Sequence, residues 1–249
     1  MRTVPLAGAC ALLFDLDGVL TRTATLHAAA WKKLFDEYLA ARATRTGEPF
    51  VPFQLIADYR TYVDGRPRYD GVQTFLASRG VVLPWGAPTD PATQETVCGL
   101  GNRKDTYFEA SLKDQGVETF PQAIDLVRKA RQRGLRTAVV SSSKNCAAIL
   151  RAAGVSDLFD ARVDGCEAER LGLPGKPAPD TFLEAARRLG VAPDCAVVFE
   201  DAISGVQAAK RGGFRVVGVD ESGRGASLLE HGADIVVSHE QFAQLMENR

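Results

Sequence analysis

Two carboxylates one residue apart, Asp15 and Asp17, followed by Gly18, are the first residues in this chain whose types and spacing suit chemistry. They close the apolar run Cys10-Ala11-Leu12-Leu13-Phe14, which has the length and character of a buried parallel strand. Two acids held together at the mouth of such a sheet repel each other and favour a cation between them. The pair therefore reads either as the centre of a metal-assisted carboxylate site or as two solvated turn acids. For an isolated pair the second reading is the commoner one, and the residues downstream reverse the odds.

Groups of the same kind recur, each directly after an apolar run. Thr137-Ala138-Val139-Val140 leads into Ser141-Ser142-Ser143-Lys144-Asn145, and Ala196-Val197-Val198-Phe199 leads into Glu200-Asp201. Between them, Gly175-Lys176-Pro177-Ala178-Pro179-Asp180 sets a lysine in a proline-rich turn that opens a helix. The carboxylates offer the hard oxygen ligands of Mg²⁺, an ion commonly held by a few acids with room left for a substrate phosphate. Hydroxyls, a lysine and amides at a helix start suit the phosphate itself. No serine–histidine or cysteine–histidine pair competes as nucleophile, so the expected chemistry is phosphoryl transfer.

Such groups work only if the fold brings them together. Beyond residue 120, helices expected over 121–133, 145–153, 179–189, 203–211 and 226–230 alternate with strands over 135–140, 161–163, 196–199, 214–219 and 234–237, before a short final helix. Alternation of this kind predicts an α/β fold: a Rossmann-like parallel sheet with helices on both faces. Ligands then bind at the carboxyl ends of the strands, near the topological switch point. Residues 22–116 have a different texture. The stretch 24–43 carries Trp31, Leu34, Phe35, Tyr38 and Leu39 as a one-faced helical stripe, and the remainder is helix-like but broken by turns at 46–49, 64–67 and 84–91. Two domains are expected: a core of residues 1–21 and 117–249, and a helical domain of residues 22–116 inserted after the first strand.

Composition narrows the class. The 249 residues, 45% hydrophobic and 24% charged, are ordinary for a soluble globular protein. A net charge of -1 gives no electrostatic footprint for nucleic acid or an anionic membrane, and no apolar run reaches spanning length. The N-terminal run around Arg2 and Leu6-Ala7-Gly8-Ala9-Cys10 superficially suggests a signal peptide. Cleavage there would remove the first strand, so none is expected. Five scattered cysteines (Cys10, Cys98, Cys146, Cys166, Cys195) without any CxxC predict reduced thiols in a cytoplasmic protein.

Taken in order, the stretches around Asp15–Leu20, Val139–Asn145, Gly175–Asp180 and Phe199–Gly205 resemble the motifs of the haloacid dehalogenase superfamily of phosphotransferases. More narrowly, they resemble its beta-phosphoglucomutase family. The resemblance covers residues 9–21 and about 117–220, and the inserted unit sits where that family carries its cap. It implies Asp15 as a nucleophile that becomes an aspartyl-phosphate, and Asp17 as general acid/base with its backbone carbonyl on the metal. Glu200 and Asp201 are then the remaining Mg²⁺ ligands, and Ser141 and Lys176 hold the transferring phosphate. Ser143, Lys144 and Asn145 match the family's loop for a second, distal phosphate. In the cap, the resemblance implies His27 near the substrate hydroxyls and Lys104 as a substrate contact. Arg68 is preferred over Arg66 as the distal-phosphate arginine.

The chain also departs from the family pattern. Arg22 stands where an aspartate is usual, at the hinge into the cap, and either alters cap closure or faces solvent. Tyr69 replaces an acidic residue, and 44–53 and 81–101 lengthen the cap. The resemblance implies a Mg²⁺-dependent mutase that interconverts beta-glucose 1-phosphate and glucose 6-phosphate through a bisphosphate intermediate, with glucose 1,6-bisphosphate as activating phosphodonor. Its partner is a small sugar phosphate, and a monomer is expected. A sugar-phosphate phosphatase using the same Asp15 is the alternative enzyme, and a non-catalytic phosphate-binding module is the remaining class.

Overall fold

The computed structural model describes residues 6–221 and 223–245; the start of the leader-like run, residues 1–5 with Arg2, lies outside them. Among the described residues no helix is long and apolar enough to cross a membrane. The chain divides into two compact units, Met1–Arg22 with Val117–Arg249, and Thr23–Gly116.

The first unit is built on six strands: β1 Ala11–Phe14, β2 Arg136–Val140, β3 Ala161–Val163, β4 Ala196–Glu200, β5 Arg215–Val219 and β6 Ile235–Val237. All pair in parallel, in the order β3-β2-β1-β4-β5-β6. The order reverses beside β1, where the chain leaves β3 and returns as β4. The crevice outside the strand ends there is the place where open α/β sheets bind ligands. All four residues of β1 are fully buried, as expected for a strand covered on both faces. Alternation splits the strands between two cores. Ala11, Leu13, Ala138, Val140, Val198 and Val216 pack with Phe182, Ala185, Val206 and Phe214 on one face. On the other face Phe14 stacks on Phe199 at 4.8 Å, and Phe199 meets Phe242 edge-on. Each such side chain contributes about 1.5–3 kcal/mol on burial.

The covering helices are α4 Pro121–Gln132, α5 Cys146–Ala152, α6 Gly165–Leu171, α7 Asp180–Leu189, α8 Ile203–Arg211, α9 Gly225–Glu230 and α10 Phe242–Leu245. Most lie within a residue or two of the expected spans. Helix α6 was not expected: it is seven residues long, none of them buried, so it has no apolar periodicity to read. Asp164 starts it by accepting the amides of Cys166 and Glu167.

The second unit consists of α1 Ala24–Thr46, α2 Arg68–Ser78 and α3 Val97–Gln115, with a π-helical turn at Tyr59–Val63. The stripe on α1 is buried as expected. Trp31, Leu34, Phe35, Tyr38 and Leu39 join Phe53, Val72, Phe75, Leu76, Val97 and Leu100 in one core. The long stretch before α3 is irregular but pinned. Asn102 donates to the carbonyls of Pro88 and Asp90, and Arg103 to that of Ala92.

In the first unit the two segments that lead to the inserted unit run side by side. Phe120 donates to the carbonyl of Leu20, Arg22 donates to that of Glu118, and Thr21 bridges Thr119 in antiparallel fashion. The Arg22 side chain is placed by both neighbours, 2.8 Å from Glu118 and over the Phe120 ring.

Candidate active site

Register places the first two acids of the site. Phe14 of β1 pairs with Phe199 of β4, and the Asp15 amide donates to the Phe199 carbonyl at 3.0 Å. The next residues along, Asp15 and Glu200, are therefore neighbours at the switch point. Asp15, Glu200 and Asp201 are all buried, and each offers a carboxylate oxygen within 4.8 Å of the others. Asp17, half-buried, stands outside this trio. It sits in a tight loop in which Thr21 returns to accept the Gly18 amide and donates its hydroxyl to the Leu16 carbonyl.

Lys176 is the centre of the arrangement. Its ammonium is buried and spends its three donors on Asp15 Oδ1 at 2.5 Å, Glu200 Oε1 at 2.6 Å and the Val140 carbonyl at 3.1 Å. The turn that carries it contains a cis peptide between Lys176 and Pro177. Burial alone would discharge this lysine, but the Asp15 and Glu200 carboxylates outweigh it and push the ammonium's pKa up. Burial pushes the Asp15 carboxyl up; Lys176 opposes, and the charges of Glu200 and Asp17 add to the push. One ammonium beside three clustered carboxylates leaves excess negative charge. Arg224 offsets part of it, reaching Asp201 at 3.2 Å.

Two glycines let the carboxylates come this close. Gly18 lies at φ +90°, and a Cβ on it would collide with the Asp201 carboxylate. A Cβ on Gly205, in the first turn of α8, would run into Glu200. Glu200 is oriented from its other oxygen, which accepts the Ala202 amide at 2.9 Å. An all-oxygen cluster with surplus negative charge and room made by glycines fits a hard divalent cation.

The loop after β2 holds the other residues read from the sequence. Ser141 is buried, and its hydroxyl accepts the Ser143 amide; the Ser143 hydroxyl accepts the Asn145 amide. These local bonds curl the loop at the end of β2. Lys144 is paired with Glu169 of α6 at 2.7 Å, a partner that sequence reading missed.

In the Thr23–Gly116 unit, Lys104 is buried on α3, with its Nζ 2.5 Å from His27 Nδ1. His27 stacks on Phe108 at 3.9 Å, and the ammonium lies over the Trp31 and Phe108 rings. Arg68 sits 2.9 Å from Asp105 and 3.5 Å from Asn102 Oδ1, and Tyr69 donates to the same oxygen. Arg66 acts on Asp70, whose carboxyl burial raises and Arg66 lowers. The fold thus brings together Asp15, Lys176, Glu200 and Asp201 in one unit, and His27 with Lys104 in the other.

His239 went unread in the sequence. It is buried against the loop that follows β1, with Nε2 2.9 Å from the Val19 carbonyl, Nδ1 2.7 Å from Glu221, and its ring stacked on Phe120. Its partner Val19 lies 220 positions away, so no local pattern could have found it.

Comparison with known proteins agrees with this geometry. Residues 11–213 match the model of haloacid dehalogenase-like hydrolases. The chain is 52% identical to the Beta-phosphoglucomutase of Mycobacterium tuberculosis over 232 residues, which are 92% of this chain and 88% of the relative. It is 33% identical to the Beta-phosphoglucomutase of Bacillus subtilis over 91% of this chain and 88% of that one. The crystal structure of the beta-phosphoglucomutase from Clostridium difficile superposes with a TM-score of 0.73 at 25% identity, covering 96% of each chain. Sheet, acidic cluster and similarity across nearly the whole length converge, and the chain belongs to the haloacid dehalogenase-like hydrolase family.

Proposed function

We propose that this protein interconverts beta-glucose 1-phosphate and glucose 6-phosphate. The observation that carries the mutase reading is the 52% identity to the mycobacterial relative over 92% of the chain, which takes in most of the inserted unit as well as the core. Asp15, Glu200, Asp201 and the backbone carbonyl of Asp17 would hold Mg²⁺. When bound, that ion neutralises charge on the transferring phosphoryl group.

The chain's own residues do the rest. An Asp15 carboxylate oxygen attacks phosphorus and carries the phosphoryl group as an aspartyl-phosphate. Asp17 would keep a proton for the leaving sugar oxygen and take one from the attacking hydroxyl, a reading supported by its lying outside the carboxylate trio. Lys176, already bonded to Asp15, supplies a fixed positive charge where negative charge develops, and Ser141 holds a phosphate oxygen. The intermediate is glucose 1,6-bisphosphate, which also serves as the activating phosphodonor. Ser143, Lys144 and Asn145 in the core, and His27, Arg68 and Lys104 in the cap, are proposed for the sugar and its distal phosphate.

The test uses purified protein, Mg²⁺, beta-glucose 1-phosphate and a trace of glucose 1,6-bisphosphate, with glucose 6-phosphate and free phosphate followed together. Glucose 6-phosphate from the beta anomer alone, with little free phosphate, is the expected result. Stoichiometric free phosphate would replace the mutase with a phosphatase.

A further inference from the structure

The strand pair that sets Asp15 beside Glu200 carries a second pair of reactive groups at its opposite end. Ala11 of β1 pairs with Ala196 of β4, and one residue earlier the Cys10 amide donates to the Cys195 carbonyl at 2.7 Å. Paired strands lie about 4.8 Å apart, inside the roughly 4.4–6.8 Å between Cα atoms that a disulfide spans. The neighbouring Cys10 thiol holds the Cys195 thiol above its ordinary pKa. Cys10 is exposed and Cys195 partly so, whereas Cys98 and Cys146 are buried. Thiol chemistry needs access for the reagent, which only the exposed cysteines give.

We propose that Cys10 and Cys195 form a redox dithiol that closes to an intramolecular disulfide by exchange with a low-molecular-weight disulfide. The Cys10 thiolate attacks one sulfur of the small disulfide, whose S–S bond breaks and releases one small thiol. Deprotonated Cys195 then attacks the Cys10 sulfur of the mixed disulfide and expels the second small thiol. The protein loses two electrons and two protons, and the small disulfide gains them. Five residues of extended chain, about 16 Å, separate Cys10 from Asp15, so the bond forms away from the phosphoryl chemistry. It closes a loop that contains the whole inserted unit, and it acts on the unfolded chain rather than on the site.

The full chain is equilibrated with mixtures of oxidised and reduced glutathione, alkylated with iodoacetamide, digested and analysed by mass spectrometry. The expected product is one species joining the Cys10 and Cys195 peptides, lighter than their sum by two hydrogen atoms and split by dithiothreitol. Cys166, exposed on α6, is expected only as its alkylated or glutathione-bound peptide. Cys10→Ser and Cys195→Ser should each lose the cross-link and leave the remaining thiol as a glutathione adduct. Recovery of Cys10 and Cys195 only as separate alkylated or glutathione-bound peptides at every ratio overturns the proposal. So does a cross-link to Cys195 that survives in Cys10→Ser.

Discussion

Both units bury a lysine, and they accommodate its charge in opposite ways. In the sheet unit, Lys176 lies between the Asp15 and Glu200 carboxylates with all three donors used. In the helical unit, Lys104 lies over the Trp31 and Phe108 rings with an imidazole nitrogen at 2.5 Å. Ring faces lower the cost of burying an ammonium. The first lysine is a fixed counter-charge that belongs to the carboxylates. The second rests on ring faces and an imidazole nitrogen.

Five experiments bear on this contrast. The largest effect is expected for Asp15→Asn, which removes the proposed nucleophile and leaves Lys176 with Glu200. Turnover should fall by at least ~10⁴-fold with no phosphoprotein by intact mass, and any phosphorylated Asp15→Asn protein would refute the assignment. Asp17→Asn should slow transfer by ~10²–10⁴-fold. A rate within about twofold of wild type would remove it from the mechanism. Lys176→Met should lower kcat by ~10²–10³-fold and cost about 3–5 kcal/mol in urea unfolding, because it leaves two carboxylates buried without their cation. Lys104→Met, measured in parallel, should raise KM by about 10-fold while costing less stability, since methionine packs against the same rings. Equal stability losses for the two lysine variants would erase the distinction. Within the helical unit, Arg68→Ala should raise KM for glucose 1,6-bisphosphate by about 10-fold and Arg66→Ala by about twofold. The reverse order would transfer the role to Arg66 and leave Arg68 as the partner of Asp105.

The smallest expected change is with pH. Neighbouring carboxylates raise Lys176 above its unfolded value, so its contribution is fully present below the unfolded lysine pKa and is lost only as pH climbs through the folded one. The stability gap between wild type and Lys176→Met should therefore stay flat from about pH 7 to about pH 9. A gap that closes within that window would mean that the ammonium titrates there.

The sheet and its acidic cluster were legible because three strands are short apolar runs that lead directly into polar groups. Asp15, Ser141, and Glu200 with Asp201 all follow such runs, and Lys176 stands in a proline-rich turn. What lay hidden are partners brought in from afar. Glu169 on Lys144, Arg224 on Asp201 and His239 on Val19 sit on short elements or loops with no apolar period. Asp105, by contrast, was in plain view beside Lys104, and only the fold of the helical unit shows that it holds Arg68. The hinge residue Arg22 also has a definite place, on Glu118 and the Phe120 ring, instead of pointing into solvent alone.

The position of β1 in the sheet has a consequence for biosynthesis. Its hydrogen-bonding partners are β2 and β4, beginning with Ala11 opposite Arg136 and Ala196, which lie 125 (136 − 11) and 185 (196 − 11) residues downstream. At translation speeds of roughly 5–20 residues per second, the nascent β1 waits roughly 10–40 s for its second neighbour. The helical unit, with its own apolar core, leaves the ribosome complete during that interval. The strand that leads into Asp15 is thus the first of the six to be made and the one that waits longest for both neighbours, an uncapped apolar segment that a nascent-chain chaperone would meet before any of its native partners exists.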